Sequence, residues 1–121
     1  MEAVVQDGGH QGLSGSGTVL CRLDEIPDPG GKGFALPGAP RFFVVRLGEE
    51  VWGYFNACPH QGVNLDWNPD VFLSYDKDVI QCATHGARFS IKTGQCIAGP
   101  CPGRSLAPVE VSIAGGTVVL A

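Results

Sequence analysis

A chain of 121 residues that is 44% hydrophobic and 17% charged has the make-up of one globular domain with a single core. Its net charge of −4 and the absence of any Lys/Arg run exclude the electrostatic footprint of a nucleic-acid binder. No stretch approaches the ~18 apolar residues of a membrane span, and the start, MEAVVQDGGHQGLSGSG, has neither the basic nor the apolar region of a secretory signal. A soluble, cytoplasmic protein with neither membrane nor nucleic acid as partner is expected.

Residues 1–17 are rich in Gly and Ser and carry no apolar periodicity, which predicts a flexible tail ahead of a domain over 18–121. From Thr18 onward short apolar runs alternate with turn formers. In chain order the predicted strands are Val19–Cys21, Gly33–Leu36, Phe42–Val45, Val51–Phe55, Val79–Gln81, Phe89–Ile91, Pro108–Val111 and Thr117–Leu120. The predicted turns are PDPGG at 27–31, LGEE at 47–50, KTG at 92–94 and AGG at 114–116. Asp24–Ile26 is read as one helical turn and Asp66–Leu73 as a short irregular piece. Many short strands at close spacing predict an all-β sandwich or partly open barrel.

Five cysteines are an odd number, and two of them stand within three residues of a histidine, which suggests metal before disulfides. Asn56-Ala-Cys58-Pro-His60-Gln-Gly62 and Gln81-Cys82-Ala-Thr-His85-Gly86 make a C-x-H followed by a C-x2-H, each at the end of a predicted strand and running into a Gly-containing loop. A tight loop lets a thiolate and an imidazole converge on one metal centre while backbone N–H groups point at its sulfurs. Any one of these residues alone is more often a buried thiol or a surface imidazole. A tetrahedral Cys2His2 zinc site is the rival, but zinc-finger spacing usually pairs Cys with Cys and His with His.

From about Thr18 to Leu120 the chain resembles a Rieske ferredoxin. The likeness rests on CPHQG at 58–62, CATHGARFS at 82–90, Thr93-Gly94, and GPCPGRSL at 99–106, which stands where that family has a Pro-containing third loop over the cluster. The resemblance implies stacked antiparallel sheets forming a β-sandwich, with one [2Fe–2S] cluster held by two loops at one tip. It implies Cys58 and Cys82 on the buried iron, and His60 and His85 on the outer one. Two thiolates and two neutral imidazoles leave the oxidised cluster formally neutral, so it accepts an electron more easily than a four-thiolate cluster would.

The chain departs from the high-potential members of that family. Val63 and Thr84 stand where those relatives have a pair of disulfide-forming cysteines, and Ala87 and Phe89 where they have a serine and a tyrosine that donate to the cluster. A potential near the low end of the Rieske range, about −150 mV, is expected. Cys96 and Cys101 flank the third loop and are read as packed thiols, Cys21 as core, and His10 as a solvated tail residue. Arg88, Lys92 and Arg104, after the second ligand pair, form either an ordinary solvated surface or a charge-steered docking face.

Only three histidines exist, and with two assigned to the cluster, His10 alone cannot build a 2-His-1-carboxylate iron site. The chain is therefore expected to be no enzyme by itself. It is expected to be a monomeric one-electron carrier between a flavin reductase and a terminal oxygenase. The alternative is a small Rieske-like subunit fixed in a larger oxidoreductase such as an assimilatory nitrite reductase.

Overall fold

The computed structural model describes residues 17–57, 65, 72–74, 76–82, 86–99 and 103–121. The expected tail, apart from Gly17, lies outside them, as does most of the irregular piece from Asp66. The described chain is built of strands β1 (Val19–Arg22), β2 (Gly30–Phe34), β3 (Phe42–Leu47), β4 (Glu50–Phe55), β5 (Ile80–Gln81), β6 (Arg88–Phe89), β7 (Cys96–Ala98), β8 (Pro108–Val109), β9 (Val111–Ala114) and β10 (Thr117–Leu120), with one 3-10 turn at Leu23–Glu25. All pairings are antiparallel. They form three sheets, ordered β1-β10-β9, β2-β3-β4-β8 and β5-β6-β7, so the expected all-β antiparallel architecture is present.

The run Phe42-Phe43-Val44-Val45 explains how the sheets stack. Alternate residues of a strand point to opposite faces, and a strand with no polar residue in its middle has both faces to bury. Phe42 and Val44 pack with Cys21, Ile26, Val118 and Leu120 against the β1-β10-β9 sheet. Phe43 and Val45 pack with Tyr54, Leu65, Phe72, Ile80 and Phe89 on the side of β5-β6-β7. The β2-β3-β4-β8 sheet is thus the middle layer between two cores. On the second side the Phe43 and Phe72 rings lie parallel, with centroids 4.2 Å apart.

Several strands differ from the sequence expectation, and three of the differences have a tertiary reason. β2 begins at Gly30 inside the expected PDPGG turn and stops before Leu36, because Gly30–Phe34 finds its ladder opposite Phe42–Arg46. The expected strand 108–111 is two strands: β8 pairs with β4 and β9 with β10, so the chain changes sheets at Glu110. β7 was not expected. Its three residues, Cys-Ile-Ala, gain order only by pairing with β6 across a bulge. Between β4 and β8 the chain makes a long excursion that starts and ends at one place, where the Phe55 amide donates to the Ala107 carbonyl at 2.9 Å.

At the far end of β3 from that excursion, Arg46 ties three turns together. Its Nη1 donates to the carbonyls of Leu23 (3.2 Å) and Ile26 (3.0 Å), and its Nε to that of Gly48 (2.7 Å). Replacing Arg46 with Met removes these bonds while keeping most of the apolar stem. Hydrogen bonds from a charged donor contribute about 1.5–3 kcal/mol each when undiluted by water. Part of this guanidinium is solvated, so a total loss of about 1–3 kcal/mol is expected, read as a lower urea midpoint with an unchanged slope. The visible spectrum of the holoprotein should not change.

Candidate metal centre

Two short segments leave the ends of β4 and β5, and each is closed at its base by hydrogen bonds. After Phe55 the Asn56 amide donates to the Arg41 carbonyl at 2.9 Å, and the Asn56 side-chain oxygen accepts from the Leu65 amide at 2.7 Å. Asn56 is buried and Leu65 fully so. A buried amide left without an acceptor would cost about 1–3 kcal/mol, so this bond clamps both ends of the segment that contains Cys58 and His60. Those two residues lie outside the described residues, as do His85 and Cys101.

The second segment runs from Cys82 to Ala87. The Cys82 amide donates to the Ala87 carbonyl at 2.9 Å, and the Gly86 amide donates to the Cys82 carbonyl at 2.8 Å. Gly86 takes a φ of +71°, in the left-handed region that Gly adopts without strain, which is what lets so short a turn close. Cys82 and Ala87 have no exposed surface and pack among Leu65, Ile80 and Phe89. Of the four expected ligands, Cys82 alone has a described position. It lies at a strand end, in an apolar wall, inside a closed turn.

A third segment leans on the second. Gly99, just past β7, has a φ of +98°, and a Cβ there would come 2.7 Å from Ala87 Cα. The GPCPG stretch thus begins in direct backbone contact with the Cys82–Ala87 turn, a place for the expected cover. Tyr54, on β4, ties the middle sheet to the excursion. Its hydroxyl donates to the Ile91 carbonyl at 2.6 Å, and burial pushes its pKa up. Neither Asn56 nor Tyr54 was singled out from sequence, although a polar residue closing an apolar strand is a visible signal for the first.

The remaining expectations are met in part. Cys96 is a buried free thiol that donates to the Ala98 carbonyl at 3.4 Å, and Cys21 is buried in the first core, its pKa raised chiefly by that burial. Phe89 is core, and Trp52 packs partly buried against the same core. Trp67 and His10 lie outside the described residues. The expected set of two thiols and two imidazoles, with an apolar wall at Cys82, suits an iron–sulfur cluster better than a structural zinc.

Residues 16–114 match the family model of the Rieske [2Fe–2S] domain. The chain is 31% identical over 84 residues to Ferredoxin CarAc of Metapseudomonas resinovorans, covering 69% of this chain and 73% of that one. It is 25% identical over 103 residues to the biphenyl dioxygenase ferredoxin subunit of Pseudomonas sp. (strain KKS102), covering 85% and 89%. A solved chain in a complex of reduced oxygenase and oxidized ferredoxin in carbazole 1,9a-dioxygenase superposes with a TM-score of 0.71 at 26% identity, covering 85% of this chain and 99% of that one. The chain belongs to the Rieske [2Fe–2S] family. It carries one [2Fe–2S] cluster and is an electron-transfer component, with catalysis left to other chains.

Gly99→Ala tests the contact between the third segment and the Cys82 turn. The methyl group meets backbone, and a positive φ costs Ala about 1–2 kcal/mol beyond Gly. The variant should lose its visible absorption to an added iron chelator several-fold faster than wild type. Gly103→Ala, also at positive φ but with no atom of the described residues within 4 Å of its would-be Cβ, should lose it at close to the wild-type rate.

Proposed function

We propose that Cys58, His60, Cys82 and His85 hold the cluster, and that the protein is a monomeric shuttle taking electrons from a flavin reductase to a terminal oxygenase. The observation that carries this reading is length. The chain accounts for 99% of a chain solved in an oxygenase–ferredoxin complex, with nothing left over for a second catalytic domain in the matched protein. The ligand set is supported by the one position described, the buried Cys82, and by the alternation of one thiol and one imidazole in each loop. No helix among the described residues is long and apolar enough to cross a membrane, and the free thiols of Cys21 and Cys96 suit a reducing cytoplasm. Residues 1–17 we take as a tail outside the domain at 18–121; the family match begins at 16.

When bound, the cluster takes up and gives back one electron. The chain sets how readily. Cys82 and Ala87 sit in a wall without exposed surface, and neither Ala87 nor Phe89 brings a hydroxyl to it. Negative charge arriving on sulfur therefore meets fewer donors than in a high-potential relative, which keeps the potential low.

Two measurements check the proposal. The purified protein should contain two irons and two acid-labile sulfides per chain, with the low average g value of mixed Cys/His ligation on reduction. Cys82→Ala should lose both iron and colour. Stoichiometric zinc, or a Cys82→Ala protein with an unchanged spectrum, would refute the ligand set.

Voltammetry gives the second. Wild type should lie near the low end of the Rieske range, about −150 mV. Each hydroxyl restored by Ala87→Ser or Phe89→Tyr should raise the potential by roughly 60–130 mV, the equivalent of a charge-assisted hydrogen bond of about 1.5–3 kcal/mol. A wild-type value above about +100 mV would contradict the account of the missing donors.

A further inference from the structure

The two expected ligand pairs belong to different sheets. Cys58 and His60 follow β4 of the middle sheet, whereas Cys82 and His85 fall between β5 and β6 of the β5-β6-β7 sheet. Among the described residues no strand of one sheet pairs with a strand of the other, and the two meet through the apolar core around Phe43, Val45, Phe72, Ile80 and Phe89. Apolar packing is not directional, so it does not by itself fix how far one layer slides over the other. The spacing between the ligand pairs then depends on directed contacts that cross from layer to layer.

Tyr54 makes such a contact. It stands on β4, two residues before Asn56, and is 3% exposed. Its hydroxyl crosses to the Ile91 carbonyl at 2.6 Å, two residues beyond Phe89 at the end of β6. Its ring closes against Gly94, where a Cβ would come 2.6 Å from Tyr54 Cε1 and 3.3 Å from the Leu106 carbonyl oxygen. The Leu106 amide donates to the Gly94 carbonyl at 2.8 Å, just before the chain enters β8. The stems of all three segments thus reach one side chain. Phe would fill the place of the ring in the core, but only the hydroxyl gives the contact a direction. Burial pushes its pKa up, so it stays protonated and keeps donating.

We propose that Tyr54 is a positioning residue for electron transfer: by tying Ile91 to β4, its hydroxyl fixes the Cys82–His85 pair relative to the Cys58–His60 pair and holds that spacing the same in both oxidation states. This rests on the ligand set given above. A group held in one geometry by the bonds and packing behind it reacts without first being moved, and small misplacements of such a group are costly in rate.

The test uses the holoprotein and its electron self-exchange, in which a reduced copy gives one electron to an oxidised copy of the same variant. The driving force is zero whatever the potential, and Tyr54 is buried, so substituting it leaves the contacting surfaces as they were. Tyr54→Phe should slow self-exchange, read from NMR line broadening in half-reduced samples, by about three- to tenfold. It should also broaden the electron paramagnetic resonance lines of the reduced cluster. Arg46→Met, which loses hydrogen bonds at the far end of β3, controls for loss of stability alone and should match wild type in both measurements.

Wild-type exchange and line widths in Tyr54→Phe overturn the proposal, as does an equal slowing in Arg46→Met. Should Tyr54→Phe not keep its cluster, Gly94→Ala decides: it retains the hydroxyl but sets a methyl group against the ring, and unchanged exchange there overturns the proposal too. Each of these results leaves the ligand set standing. A wild-type protein without the low average g value of mixed Cys/His ligation removes the ligand set, and this inference with it.

Discussion

Burial of β3 on both faces is the constraint from which the rest of the molecule follows. Phe42 and Val44 belong to one core and Phe43 and Val45 to the other. A slip of one residue against β2 or β4 would send each set into the wrong core, so the register of the middle sheet is fixed from two sides at once. That register decides that Phe42 stands opposite Phe55, and hence that β4 ends where Asn56 meets Arg41. The point at which the segment with the expected ligands Cys58 and His60 leaves β4 is therefore set by packing several residues away from it. No direct contact with its own ligands is needed.

The other half of the site is placed by the same core. Ile80, Cys82, Ala87 and Phe89 bring β5 and β6 against Phe43, Tyr54 and Leu65, and the Tyr54 hydroxyl adds one directed bond to Ile91. By the family likeness, the high-potential members from which this sequence departs would brace their loops with a disulfide. Here Val63 and Thr84 occupy those positions, and apolar packing together with four hydrogen bonds of backbone and side chain does that work at the loop bases.

The parts legible in the sequence were those whose cause is local. The Cys and His spacing that carries the family likeness, the Gly-Pro-rich third segment, and the apolar run of β3 are all visible without knowing what lies across from them. The split at Glu110 was hidden because Pro-Val-Glu-Val at 108–111 reads as one alternating strand, and only the presence of two different partner strands divides it. β7 was hidden for a related reason: Cys-Ile-Ala has no alternation, and its bulge exists only relative to β6. Asn56 lay in plain view beside Cys58, but its role depends on an amide nine residues away, so burial had to be known before the clamp could be seen.

The amide of Phe55 meeting the carbonyl of Ala107 has a wider meaning for how such a protein is put together. Every expected ligand falls between those two residues, while β1 to β4 and β8 to β10 join without them into two paired sheets with their own core. The redox part is thus an insertion with adjoining ends, and loop-closure entropy rises only slowly with the length of what is inserted. Such an arrangement is modular. The insert enters and leaves at one point, so its length is free to vary in the parts that do not cover Phe43, Val45 and Tyr54, while the residues that do cover them are bound to the middle sheet.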